Sequence, residues 1–290
     1  LANLFRNILI PVDFTINTEL AIKKGVQLAE TGEEVALHLL HVIKPGDGRD
    51  ESPAKNLIPV ISNREKKLIE DAALKLQECK EYMQHDCLGI NIFIHLARNH
   101  SIEQAIVKKA MEIKPELIVV AKHSYHKWLA SLKRVSAVNI ARKSHCAVLI
   151  MKPGSLHTKI KSIVIPVRSF FPRRKLQLLP SLANRKKVTI YFLSILNESN
   201  GYDGSSASDA FIETLRLLHG NVNCQLEHKL ISGNNIAKDI FQFAENVDAD
   251  VLLANPDEAK VSSITNLDIS DLVRSSSKLQ ILAVDPAHVF

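Results

Sequence analysis

Apolar residues along this chain fall into two alternating patterns. Short, near-continuous runs of buried-strand length are separated by longer stretches in which apolar side chains return every three or four positions. Residues 6–12 form the first run, and 18–30 carry Ala21, Gly25, Leu28 and Ala29 at helical spacing. Residues 35–43 predict a second strand, and 45–59, with Gly46, Gly48, Pro53 and Pro59, a loop. Residues 61–85 predict a long amphipathic helix with Leu68, Ala72, Leu76, Cys79 and Met83 on its inner face. A third strand is predicted at 90–96. Ser101 and Gln104 give the Ser-x-x-Gln signature of a capped helix start, ahead of Ile102, Ala105, Ile106, Ala110 and Ile113. Residues 117–121, about 133–143 and 146–151 complete the pattern as strand, helix and strand.

The pattern then begins again. Asn7-Ile8-Leu9-Ile10-Pro11-Val12 returns as Ser162-Ile163-Val164-Ile165-Pro166-Val167, 155 residues later. Leu96, Ile102, Ile106 and Ala110 return as Leu230, Ile236, Ile240 and Ala244, an offset of 134, and Cys146 to Pro153 returns as Leu279 to Pro286, an offset of 133. Three matches in one order indicate a duplication. The fall in offset predicts a deletion of about 21 residues in the second copy, between its second and third strands. Strand–helix alternation with apolar strands implies parallel sheets covered on both faces. The expected fold is α/β, two tandem doubly wound five-stranded parallel sheets of order 3-2-1-4-5, in domains 1–153 and 154–290. That order puts the ends of strands one and four at the topological switch point, where ligands bind. Asp13 and the loop after Ala121 are expected to face one crevice.

Composition narrows the function without naming it. Of 290 residues, 46% are hydrophobic and 23% charged, as in ordinary globular proteins. No apolar run approaches the roughly 18 residues of a membrane span, and no secretory signal is visible, so a cytoplasmic protein without membrane contact is expected. The net charge of +6 is spread along helices without interleaved aromatics, which does not predict nucleic-acid binding. The four cysteines, Cys79, Cys87, Cys146 and Cys224, form no Cys-x-x-Cys pair and are expected as reduced thiols. Neither Gly-x-Ser-x-Gly nor Gly-x4-Gly-Lys-(Ser/Thr) occurs, and no nucleophile–base–acid set is found, so no enzyme is predicted.

The stretch Asn7-Ile8-Leu9-Ile10-Pro11-Val12-Asp13-Phe14-Thr15 is similar to the opening of the universal stress protein family. Leu39-Leu40-His41-Val42, Leu117-Ile118-Val119-Val120, His123, Arg142 and Cys146-Ala147-Val148-Leu149-Ile150 extend the resemblance over the first copy. It is weaker over the second. The resemblance implies a Rossmann-like, adenine-nucleotide alpha-hydrolase-like fold. It also implies a nucleotide site at Pro11, Asp13, Val42 and a Gly-x2-Gly-x9-Gly-(Ser/Thr) loop, whose backbone N–H groups and following helix would cradle phosphates. Here the loop positions read Ala121, Ser124, Arg134 and Val135, so every glycine is gone. The second copy has Arg168 in the place of Asp13, and its fourth strand runs into Asn255-Pro256-Asp257.

Each candidate has a functional and an architectural reading. Asp13 contacts a nucleoside or caps the next helix. Lys122, His123, His126, Lys127, Lys133 and Arg134 form a side-chain anion site or a solvated, partner-facing loop. His123-x-x-His126 is half of a metal site with no further ligand nearby, so no metal is predicted. Trp128 fills the crevice or meets a partner. His38 and His41, three apart on a strand, fall on opposite faces and read as structural. Ser208, Asp209 and Glu213 read as caps and first-turn acids. The expected function is therefore a non-enzymatic stress-response protein acting through protein contacts, with no cofactor. The alternative is an adenine-nucleotide (ATP/AMP) sensor using the first domain only. The fifth strands, 146–151 and 279–284, are expected to pair antiparallel within the chain, because either would otherwise be an exposed apolar edge. A homodimer is the further partner option.

Overall fold

The computed structural model describes residues 5–29, 35–45, 62–86, 89–122, 135–155, 159–167, 173–183, 187–196, 212, 216, 224–232, 235–255 and 269–285. The first half runs β1 (Asn7–Val12), α1 (Ile16–Leu28), β2 (Val35–Ile43), α2 (Asn63–Asp86), β3 (Ile90–Arg98), α3 (Ile102–Ile113), β4 (Leu117–Ala121), α4 (Ala137–Ser144) and β5 (Ala147–Met151). After a 3-10 turn at Pro153–Ser155, the second runs β6 (Ser162–Val167), α5 (Arg173–Ala183), β7 (Val188–Leu196), β8 (Cys224–Ser232), α6 (Ile236–Asn246), β9 (Val251–Ala254), α7 (Ile269–Leu272) and β10 (Gln280–Ala283).

All ten strands form one sheet, ordered β3-β2-β1-β4-β5-β10-β9-β6-β7-β8. Each half has the expected doubly wound order. The halves join where β10 runs antiparallel to β5, with Ile281 opposite Ile150, Leu282 opposite Leu149 and Ala283 opposite Val148. Every residue of both joining strands is buried. The sheet separates two cores, each continuous across the halves. One packs Ala21, Leu76, Met83, Leu176 and Leu179 from α1, α2 and α5. The other packs Ile106, Ile140, Ile240 and Ile269 from α3, α4, α6 and α7. Gly25 lets α1 approach the sheet, since a Cβ there would lie 2.6 Å from Ile10 Cδ1. Gly154 does the same at the junction: its N–H donates to the Ser275 carbonyl at 2.9 Å, and a Cβ would meet the Ser276 carbonyl oxygen at 2.3 Å.

The duplication is visible in polar detail. At the foot of the first half, Glu116 Oε2 accepts from the N–H groups of Arg6 and Asn7, the latter at 3.1 Å. Asp250 repeats this in the second half, accepting from Lys161 N at 2.7 Å and Ser162 N at 3.0 Å. Ser101 caps α3 by accepting from Gln104 N at 3.3 Å, and Asn235 caps α6 from Lys238 N at 3.1 Å. Lys114 and Asp248, both left-handed at φ 47° and 50°, follow α3 and α6.

Two expectations change. Leu68 is 49% exposed; the buried residue at that end of α2 is Glu65, which pairs with Arg98 through two contacts, Nη2 to Oε2 at 3.2 Å and a closer one from Nε. A polar residue with a partner on β3 displaces a leucine from the inner face. The deletion also divides. Ile8 lies opposite Leu37 and Ile163 opposite Ile190, an offset of 153, so two residues are lost before β7 and 19 between β7 and β8. Cys79, Cys146 and Cys224 are unbridged, and burial pushes the Cys146 thiol up to about 12. Cys87 lies outside the described residues, as do all but the first residue of the predicted 45–59 loop and Ser208, Asp209 and Glu213.

Asp250 is 3% exposed and also holds Lys278 Nζ at 3.0 Å. Asp250→Ala leaves the part-buried N–H groups of Lys161 and Ser162 without their acceptor, while Lys278 keeps Asp248 at 2.9 Å, so it lowers stability by about 2 kcal/mol in urea denaturation.

His38 and His41 do fall on opposite faces. His38 Nδ1 lies 2.9 Å from His95 Nε2, with Phe93 stacked on His38 at 4.9 Å. Burial, then His95 and Lys109, lowers His38 to about 4; burial and Lys109 lower His95, partly offset by Glu112. The unfolded chain takes a proton near 6.5 that the folded pair refuses. The stability held by the neutral pair is thus complete above pH 6.5 and falls progressively toward pH 4. Urea midpoints measured across that window record the slope, and His38→Leu flattens it.

Candidate functional site

The crevice at the strand C-termini follows from a change in pairing. β1 pairs with β2 from Asn7 to Val12, but with β4 only at Ile8 and Leu9. Beyond Leu9 the two strands part. Pro11, which lacks an N–H, stands where β1 is paired on one side only, so it leaves no ladder bond broken. β6 opens from β9 in the same way, pairing at Ile163 and Val164 and carrying Pro166 past the opening.

At the first opening the chain turns into α1 through Asp13. Its Oδ1 accepts from Thr15 N at 3.2 Å, Thr15 Oγ1 at 2.6 Å and Thr18 Oγ1 at 3.2 Å, and its own N–H donates to Thr18 Oγ1 at 3.0 Å. Thr15 is the N-cap and accepts from Asn17 N at 3.2 Å. One carboxylate oxygen is therefore absorbed by the helix start. The other, Oδ2, is buried without a hydrogen-bond partner, as is Oδ1 of Asn17, which is 4% exposed.

Phe14 takes a left-handed φ of 57°, rare for an aromatic residue. Its ring lies 4.3 Å from that of His41, and Lys75 Nζ stands 5.6 Å from its centroid. His41 Nδ1 donates to the Val12 carbonyl at 2.9 Å. Burial outweighs that hydrogen bond and Asp13 and lowers the imidazole below its usual range. Val42, half-buried and opposite Ala97 of β3, lies one residue past the end of the β1 pairing.

The far wall begins at Ala121, which ends β4 at 1% exposure. Lys122 follows, and its N–H donates to the Met151 carbonyl at 3.0 Å. Its side chain is 5% exposed and reaches the second half, with Nζ 3.4 Å from Ser270 Oγ and 3.8 Å from Asp271 Oδ1. Val135 is 3% exposed within the second core. Ser136 then caps α4 by accepting from Asn139 N at 3.3 Å. Ser124 and Arg134 lie outside the described residues, with His123, His126, Lys127, Trp128 and Lys133. The structure thus gathers Pro11, Asp13 and Val42 near one strand end and Ala121 on the adjacent strand, while Val135 is in the core. Among the described residues no cluster of three metal-ligating side chains occurs.

At the second opening, Pro166 offers its carbonyl to Lys175 Nζ at 2.8 Å. Lys175 is 1% exposed. Arg168 lies outside the described residues; Asn255, just past β9, is buried.

Several polar groups at the junction escaped the sequence reading. Lys24 is 1% exposed, donates to Ser155 O at 3.2 Å and Gln27 Oε1 at 3.1 Å, and is lowered by burial to about 8. His145 Nδ1 meets Asp285 Oδ2 at 2.7 Å, and Arg174 donates to the Asp285 carbonyl at 3.0 Å and to that of His145. A signal existed for the lysines. Lys24 lies three residues after Ala21, and Lys175 four before Leu179, so each falls on an apolar helix stripe.

Comparison with known proteins agrees with this architecture. The family model of the universal stress protein family matches residues 4–152. No curated protein sequence matches the chain. Among solved structures, a universal stress protein from Archaeoglobus fulgidus is similar over 98% of this chain and 97% of its own, at 14% identity and a TM-score of 0.62. The cytoplasmic domain of a prokaryotic cation chloride cotransporter is similar over 98% and 97%, at 13% identity and 0.51. A functionally unknown protein from Pseudomonas aeruginosa is similar over 97% and 93%, at 15% identity and 0.50. These likenesses speak for the fold; the family model, spanning half the chain, together with the doubly wound order and the Asp13 turn, shows that the chain belongs to the universal stress protein family.

Proposed function

We propose that this is a non-enzymatic stress-response protein that acts through protein contacts and binds no ATP in its second half. This reading takes the domains to be 1–153 and 154–290. The observation that carries the reading is the use made of the residues around the lost glycine loop. A phosphate cradle needs free N–H groups and a reachable cation. The Lys122 N–H is spent on Met151, its ammonium is buried against Ser270 and Asp271, and Val135 is packed into the core. In the second half, the buried ammonium of Lys175 holds Pro166 at the strand opening, and the acid at the Asp13 position is replaced by Arg168.

One observation favours the second reading, an adenine-nucleotide sensor in the first half. Asp13 Oδ2 and Asn17 Oδ1 are buried acceptors without partners, and such groups cost about 1–3 kcal/mol each unless something donates to them. A nucleoside hydroxyl or exocyclic amine is a donor of the required kind.

Denaturing the purified protein and chromatographing the released small molecules separates the two. No nucleotide is expected, and calorimetric titration with ATP gives a Kd weaker than about 100 μM. Tighter binding transfers the function to the second reading. Lys122 supplies an independent check. As a junction residue, Lys122→Met lowers the urea midpoint, by about 1–2 kcal/mol of stability, without altering the ATP titration. A loss of nucleotide affinity in that variant contradicts the junction role.

A further inference from the structure

The two outer edges of the sheet are built differently. β3 and β8 occupy equivalent places, each nine residues long, and pair with β2 and β7 along their whole length. β8 carries Glu227 and Lys229, ion-paired at 3.8 Å, the kind of charged decoration that protects an edge from pairing. At the equivalent positions β3 carries Phe93 and His95. Phe93 is 47% exposed and Leu96 37%. The strand reads Ile-Asn-Ile-Phe-Ile-His-Leu-Ala-Arg, with no carboxylate and its one permanent charge at the last residue.

The ladder fixes which β3 groups look outward. Asn99 N donates to the Ile43 carbonyl, so residue 99, and with it 97, 95, 93 and 91, directs its backbone toward β2. Ile90, Ile92, Ile94, Leu96 and Arg98 then present N–H and C=O to the open side. The sequence is matched about its midpoint, Ile94. Reversed and laid beside itself, it sets Ile92 against Leu96, Phe93 against His95 and Ile90 against Arg98, and no like charges meet. Ile94, Ile92 and Leu96 fall at hydrogen-bonded sites. Phe93 and His95 fall at the non-hydrogen-bonded sites, where side chains from the two strands come closest.

We infer that β3 is a self-association edge: two copies of the chain join by antiparallel β3–β3 pairing about a two-fold axis at Ile94, stacking Phe93 of each on His95 of the other. The chain already closes its inner edges this way, at β5 and β10. The geometry is isologous, as a closed dimer requires. The ring stack of Phe93, His38 and His95 within one copy gives each aromatic side chain a fixed platform to present. The inference is independent of whether the crevice binds a nucleotide.

Sedimentation velocity of the full chain from about 1 to 100 μM is the test. A concentration-dependent species of twice the chain mass is expected. Phe93→Lys adds an edge charge on an exposed side chain, and Leu96→Pro deletes an outward N–H without touching the β2 ladder. Each change acts twice across the two-fold axis and raises the dissociation constant about two- to thirtyfold. Leu230→Lys, at the equivalent place on β8, leaves it unchanged. Circular dichroism and the urea midpoint confirm that the variants are folded. A wild-type chain that stays monomeric to about 100 μM overturns the inference. So does a dimer that both β3 variants leave as tight as Leu230→Lys does.

Discussion

The structure depends on one constraint: the apolar fifth strand of a doubly wound sheet cannot be left as an edge. β5 and β10 are short and buried at every position. Laid antiparallel, each satisfies the other's open ladder and covers its flanks. The arrangement of the rest follows from that pairing. Both cores run unbroken through the junction, so neither half has a core wholly its own. The turn between the halves must hug the sheet, which Gly154 allows against Ser275 and Ser276. Lys24, Lys122, His145 and Arg174 reach the junction and find partners there.

The same pairing explains where Lys122 goes. In the strand order β4 is separated from the second half only by β5. A residue leaving the end of β4 lies within reach of α7, and Lys122 meets Ser270 and Asp271 there. Lys122 is thus used as a joint between the halves.

Much of the architecture was legible because it rests on strong, local signals. The bounds of β2 and β4 match the apolar runs to the residue, and the strand order follows from alternation and crossover handedness. The pairing of the fifth strands was legible for a different reason, the cost of the alternative. What was not legible depends on a partner far along the chain. An amphipathic stripe admits Leu68 and excludes Glu65, yet Arg98, 33 residues later, makes Glu65 the buried one. The division of the deletion into two and 19 residues shows only in the register of Ile163 with Ile190. Lys24 and Lys175 follow the stripes of their helices, but their ammonium groups are acceptable only because carbonyls of Ser155 and Pro166 wait for them.

Asp13 shows why a matching residue is weaker evidence than a matching atom. Its Oδ1 and backbone N–H bind Thr15 and Thr18 and start α1, a role that needs no ligand and would hold an aspartate at this position. The identity of the residue therefore says little about nucleotide binding. The informative atom is Oδ2, buried and unmatched, as is Oδ1 of Asn17. Buried acceptors are rarely left so, because each forfeits its hydrogen bonds to water. In the second half the sequence has Arg168 at the position of Asp13, and an ammonium holds the Pro166 carbonyl. Among the described residues at the first opening, Asp13 Oδ2 and Asn17 Oδ1 are thus the acceptors that the fold itself leaves unused.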